Sequence, residues 1–218
     1  MNLGSIKYRL KLEAMRYGDL YPYRRYMTKN KCIFIHVPKA AGTSVLQALH
    51  GKNVHIQRDH CEIQAFRSAC KPFYQSYYKF TFVRHPVDRI YSSYRYLLGG
   101  GNKMNNNNLP KLLNEKYPNF NDFVKLYLDE DRIRTIFLFR PQFTFFCNEN
   151  FEPLVDFIGR YESINDDFEV VKDKLKLKRG LPLVNVSEVK EKVDIDDEAK
   201  EKIYNLYKKD FEVLKYDL

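Results

Sequence analysis

The stretch KCIFIHV, residues 31–37, runs directly into PKAAGTS and then into VLQALHG. A strand with one face in water alternates apolar and polar residues; this one is apolar throughout apart from Lys31 and His36, so both of its faces are expected to be covered. The pattern recurs. KFTFV, residues 79–83, is a second unbroken apolar run, followed by RHP and the helical pattern VDRIYSSYRYLL, with Pro86 in the first turn, where its missing N–H costs nothing. Two buried strands, each passing through a tight turn into a helix, predict an α/β chain: a three-layer, mostly parallel sheet flanked by helices.

The rest of the chain is read around those two units. A helix over residues 43–50 is closed by Gly51, NVHIQ (53–57) reads as a short strand, and 60–70 has helical spacing through Ile63, Phe66 and Arg67. Helices are expected at 109–116, 120–129, 163–177 and 196–210, a strand near 142–146, and extended chain at 154–161. Residues 1–30 mix basic and aromatic side chains and read as a short helix followed by an arm whose tyrosines pack on the domain. Residues 31–218 are expected to form one domain. Within it LLGGGNKMNNNNL, at 97–109, predicts a flexible Gly/Asn loop over 99–108, either a lid or a tolerated insertion.

Charge narrows the partners. The formal net charge is +9, and it is concentrated at the front: residues 1–100 carry 17 Lys and Arg against 5 Asp and Glu, while 101–218 carry 20 against 23. An anionic partner is expected, whether nucleic acid, a membrane surface, a phosphorylated cofactor or an acidic polymer. No segment approaches the ~20 apolar residues of a membrane span. Cys32, Cys61, Cys70 and Cys147 lack the spacing of a disulfide framework or a zinc site, so free thiols and no required metal are expected.

Two constellations could hold anions. In the first, Lys39, Ala41, Gly42, Thr43 and Ser44 lie between a strand and a helix. There the first N–H groups lack intrahelical partners, the helix dipole is positive, Gly42 lets a ligand approach the backbone, and Lys39 adds charge. The order differs from the Gly-x-x-x-x-Gly-Lys loop of nucleoside triphosphatases, since here the lysine precedes the glycine. In the second, Arg84 ends a strand and Ser92 lies two helical turns further on, a planar donor fork and a hydroxyl suited to phosphate. Two such sites predict a ligand with two separated phosphates.

These residues resemble the carbohydrate sulfotransferases, in particular the compact group related to the uronyl 2-O- and chondroitin/dermatan-type enzymes. In that family a PK-x-x-GTS loop holds the 5′-phosphosulfate of 3′-phosphoadenosine 5′-phosphosulfate (PAPS), and a pattern of arginine, proline, a second arginine and serine holds the 3′-phosphate. Lys39, Gly42, Thr43 and Ser44 match the first; Arg84 and Ser92 match the second, with Arg89 at its internal arginine. FRPQ (139–142), DFIGRYESINDDF, LPLVNVS and DFEVLKY extend the likeness to the end of the chain. The resemblance implies a P-loop-NTPase-like sulfotransferase fold, PAPS as donor with adenosine 3′,5′-bisphosphate as product, and a carbohydrate hydroxyl as acceptor, with no nucleic acid partner. The basic front half favours an anionic oligo- or polysaccharide. The resemblance also implies a cytoplasmic, bacterial-type enzyme if the chain is full length, or a Golgi lumenal one if it is a trimmed eukaryotic chain.

Direct sulfuryl transfer requires a base, and histidine suits it because its ordinary pKa of ~6.5 leaves it neutral yet basic near neutrality. His36 sits in a buried strand, His50 closes a helix and His85 follows Arg84. His55 and His60 lie between the two motifs, and the resemblance favours His60. Lys39 is positioned to neutralise the leaving phosphate. Arg140 and Gln142 are further residues that could face the acceptor. Two other readings of the same residues are a non-enzymatic polyanion- or nucleic-acid-binding module and a P-loop-type kinase.

Overall fold

In the computed structural model, which describes residues 21–50, 59–101, 108–182 and 193–218, the two apolar runs are strands β1 (Cys32–Ile35) and β2 (Tyr78–Val83). Burial is continuous along β1 and along the last four residues of β2, the mark of strands covered on both faces. A third strand, β3 (Phe157–Arg160), completes a parallel sheet in the order β1-β2-β3. The register sets Ile35 beside Thr81, and the buried Thr81 Oγ1 donates to Ile35 O at 2.8 Å. Phe82 lies opposite Gly159. A Cβ there would come within 2.4 Å of the Phe82 ring, so glycine makes room for the ring that meets Phe168.

The chain divides into two units, and the three strands among the described residues belong to the first, Met1–Val83 with Phe145–Val186. Its helices are α1 (Arg25–Asn30), α2 (Gly42–His50), α3 (Ile63–Ala69), α4 (Lys71–Ser76) and, after β3, α9 (Ile164–Leu175). Tyr23 and Tyr26 are buried, and the Tyr23 hydroxyl donates to Phe66 O at 3.0 Å, tying the segment before β1 to α3. The expected 60–70 helix is shorter and is followed at once by α4, because Cys70 is extended and serves as the end of one helix and the start of the next.

The second unit, Arg84–Thr144 with Ser187–Leu218, is helical. It comprises α5 (Pro86–Leu98), α6 (Leu109–Lys116), α7 (Phe120–Asp122) continuing as a π-helical turn Phe123–Tyr127, α8 (Glu130–Thr135), a 3₁₀ turn Phe137–Phe139, and α10 (Asp197–Leu206) and α11 (Lys208–Leu214) near the end. Its core gathers Tyr94, Phe123, Phe139, Ile203, Tyr207 and Phe211. The helix expected at 196–210 is broken at Tyr207, whose hydroxyl donates to Phe139 O at 2.6 Å.

The strand expected near 142–146 is a 3₁₀ turn instead, Gln142–Phe145. The N–H groups of Gln142 and Phe143, which a strand would give to a neighbour, both go to the Asp210 carboxylate, at 2.8 and 2.9 Å. The NVHIQ strand, His55, and residues 102–107 of the Gly/Asn loop lie outside the described residues. All four cysteines are free. Among the described residues, no helix is long and apolar enough to cross a membrane.

Candidate active site

The turn between β1 and α2 bends in an unusual way. Lys39 and Ala41 both have φ of 65°, left-handed backbone that costs a residue with a Cβ roughly 1–2 kcal/mol, and the buried Ala40 separates them. Alternating handedness of this kind curls successive N–H groups toward one point, the geometry of an anion-binding nest. Helix α2 starts at Gly42 with no acidic residue in its first turn. Ser44 and Val45 N–H close on Ala41 O, and Thr43 and Ser44 are half-buried in that first turn. Lys39, Ala41, Gly42, Thr43 and Ser44 thus belong to one turn that runs into the N-terminus of α2, a candidate cradle for an anion with the helix dipole behind it.

Gly42 is required for a second reason. A Cβ on it would lie 1.8 Å from Nε2 of His36, because the His36 ring packs directly on the Gly42 backbone. The ring is 5% exposed, with Phe34 stacked against it at 5.7 Å and His60 at 4.0 Å between centroids. His60 Nδ1 sits 2.8 Å from His36 O. A carbonyl only accepts, so Nδ1 carries the proton and Nε2 of a neutral His60 carries the lone pair. The cradle and the basic nitrogen are therefore joined through one residue. His36, read from sequence as a structural strand histidine, is the link.

The chain before His60 is anchored too. Arg24 Nε meets Asp59 Oδ2 at 2.5 Å, both largely shielded from solvent, and Cys61 is buried, its thiol pushed up by loss of solvation. Sequence reasoning missed this clasp, because Arg24 and Asp59 are 35 residues apart and neither sits in a motif.

Arg84 and Ser92 belong to the second unit. Arg84 directly follows β2 and is half-buried; Ser92 is half-buried on α5, one turn after Asp88. The main chain of Arg84 is held by Gln142: Nε2 donates to Arg84 O at 2.7 Å, and Oε1 accepts from Arg84 N–H at 3.0 Å. Gln142 is fully buried and does not face an acceptor, correcting the expectation for that residue. An amide inside the aromatic run RPQFTFF was the available signal, since a polar group buried among rings must be fully hydrogen-bonded.

Arg89, the internal arginine of the motif, is fully buried and structural. Its Nη1 and Nη2 donate to Leu138 O at 3.2 Å and Arg140 O at 2.8 Å, and its guanidinium lies over the Tyr207 ring. Ser93, next to Ser92, is buried, and its single hydroxyl proton is shared between Arg89 O and Leu138 O, each 3.1 Å from Oγ. His85 Nε2 lies 3.0 Å from Asp217 O, its ring edge-on to Phe211 and Tyr216, which accounts for it as a packing residue at the start of α5.

The first unit is a parallel α/β sheet of the kind that binds ligands beyond the carboxyl ends of its strands. The sequence model of the Sulfotransferase family matches residues 25–217, and the chain belongs to that family. No curated protein and no solved structure matches the chain. The general activity is therefore sulfuryl transfer to an acceptor, which sets aside the binding-module and kinase readings.

Proposed function

We propose that the chain transfers a sulfuryl group from PAPS to a hydroxyl of a carbohydrate acceptor, an anionic oligo- or polysaccharide, by direct in-line displacement. The observation that carries the reading is the His36 ring, in contact with the anion cradle on one side and the candidate base on the other. PAPS, when bound, supplies the sulfuryl group. The residues present suit it: left-handed backbone and a helix N-terminus for the 5′-phosphosulfate, and a main-chain-fixed arginine with a nearby serine for the 3′-phosphate.

In this reading His60 takes the acceptor hydroxyl proton at Nε2, with its tautomer set by His36 O. Lys39 opposes the negative charge that grows on the departing 5′-phosphate as its bond to sulfur breaks. Ala41, Gly42, Thr43 and Ser44 hold that phosphate through N–H and hydroxyl donors, and Arg84 and Ser92 hold the 3′-phosphate. The excess of basic residues in the front half of the chain supports an acidic acceptor.

The test combines binding and turnover. Adenosine 3′,5′-bisphosphate at 100 times its Kd should stabilise the protein by about 2.7 kcal/mol, with adenosine 5′-phosphate much weaker. In a screen of oligosaccharides with labelled donor, His60→Ala should lose transfer while keeping that stabilisation. Equal stabilisation by both nucleotides, or full turnover by His60→Ala, would refute the assignment.

A further inference from the structure

Segment 138–143 of the second unit is latched at five main-chain points. Arg89 and Ser93 donate to Leu138 O, the Tyr207 hydroxyl to Phe139 O and Arg89 again to Arg140 O, while the Asp210 carboxylate accepts from Gln142 and Phe143 N–H. Arg89, Ser93, Gln142 and Asp210 are each fully buried. An amide and a carboxylate placed inside a protein are costly unless every bond is made, and apolar residues would have filled the same space. What the arrangement adds is position. From within this strut the buried Gln142 side chain takes both the N–H and the C=O of one residue, Arg84.

We infer that Gln142 and Asp210 are positioning residues that fix the main chain of Arg84 so that its guanidinium meets a 3′-phosphate; the inference rests on the role proposed for Arg84 above. A side-chain amide is the one neutral side chain that carries both the donor and the acceptor of a peptide group, so Gln142 acts as a one-residue strand beyond the end of β2. From behind, the Asp210 carboxylate accepts from the Gln142 main-chain N–H. Because Arg89 and Ser93 latch the same strut from α5, the helix that carries Ser92 is registered to Arg84 through it. A planar guanidinium clamp works only within about 0.5 Å and 10–20° of its geometry, and a residue just past a strand lacks the ladder that would hold it so.

The experiment measures Kd by calorimetry for adenosine 3′,5′-bisphosphate and for adenosine 5′-phosphate, in the wild type, Gln142→Met, Gln142→Glu and Arg84→Ala. Gln142→Met keeps the volume and loses both bonds. It should weaken the bisphosphate by about tenfold or more and leave adenosine 5′-phosphate unchanged, so that the ratio of the two collapses. Gln142→Glu keeps the acceptor for Arg84 N–H and should fall between. An unchanged ratio in Gln142→Met, or equal weakening of both nucleotides, overturns the inference and leaves Gln142 a purely structural residue. If Arg84→Ala collapses the ratio and Gln142→Met does not, only the positioning role falls; if Arg84→Ala leaves the ratio intact, the role proposed for Arg84 falls and takes this one with it. Should Gln142→Met fail to fold, Gln142→Glu decides on the same ratio.

Discussion

Replacing Gly42 with alanine separates two opposing effects. Gly42 begins α2 with ordinary helical backbone, and at an unhindered helical site the exchange stabilises a protein by roughly 0.5–1 kcal/mol. Here the new methyl would stand 1.8 Å from His36 Nε2. Normal contact begins near 3.4 Å, so the ring would have to retreat by about 1.6 Å, and Phe34 and His60 occupy its flanks. Overpacking of this kind costs about 1–3 kcal/mol, which outweighs the helical gain. We predict a net loss of about 1 kcal/mol or more, read as a melting temperature about 2–4 °C lower per kcal/mol for a chain of this size. Because the His60 ring lies 4.0 Å from the His36 ring, the base role proposed for His60 predicts that a shift of about 1 Å there also lowers turnover by about 10²-fold. The assay is a double-mutant cycle with His36→Ala, followed by thermal melts and sulfate transfer. Removing the ring restores space for the methyl, so the pair should be coupled by about 0.5–3 kcal/mol. A Gly42→Ala protein as stable as the wild type, or zero coupling, would refute the proposed packing of cradle on ring.

Further expectations follow from the same contacts. Lys39→Ala should abolish turnover with the fold intact by circular dichroism; retained turnover would remove Lys39 from the leaving-group role. Arg89→Lys loses the fork that reaches Leu138 O and Arg140 O together and should cost about 2–3 kcal/mol in urea unfolding; a cost under ~0.5 kcal/mol would mean that the strut does not depend on it. Burial raises the Asp210 pKa above its ordinary 3.8, opposed by Arg89 and by the Gln142 and Phe143 N–H groups. Its contribution to stability is complete below 3.8 and declines as pH rises through the raised value, so Asp210→Asn should flatten that part of the stability–pH curve, and an unaltered slope would count against it.

Local pattern announced the parts of the fold that local physics controls. β1 and β2 were legible because continuous apolar runs admit few other structures, and α6 was legible at its observed ends because Pro110 marks its first turn and apolar spacing its body. The left-handed turn that carries Lys39 and Ala41 was signalled by a Pro-Lys-Ala-Ala-Gly run between an apolar strand and a helix. What the pattern did not carry were contacts between distant residues. Residues 142–145 are aromatic-rich and strand-like, yet Asp210, 68 positions away, takes their N–H groups and turns them into a 3₁₀ turn. The same holds for His36, since the need for a glycine beneath its ring exists only once β1 and α2 are packed. Arg89, noted in the sequence only as the motif's internal arginine, is buried scaffolding, which burial rather than spacing decides.

Asp210 and Asp217 also bear on how the second unit is assembled. The contacts that settle Arg84 and His85 come from residues far along the chain, across separations of 58 residues from Arg84 to Gln142, 68 from Gln142 to Asp210 and 132 from His85 to Asp217. Closing such loops dominates the kinetic barrier, so this region is expected to be the slow step of folding. A chain cut before α11 would carry the arginine without the Asp210 carboxylate that holds Gln142 against it, so the nucleotide affinity proposed for Arg84 should arise only once these distant contacts have closed.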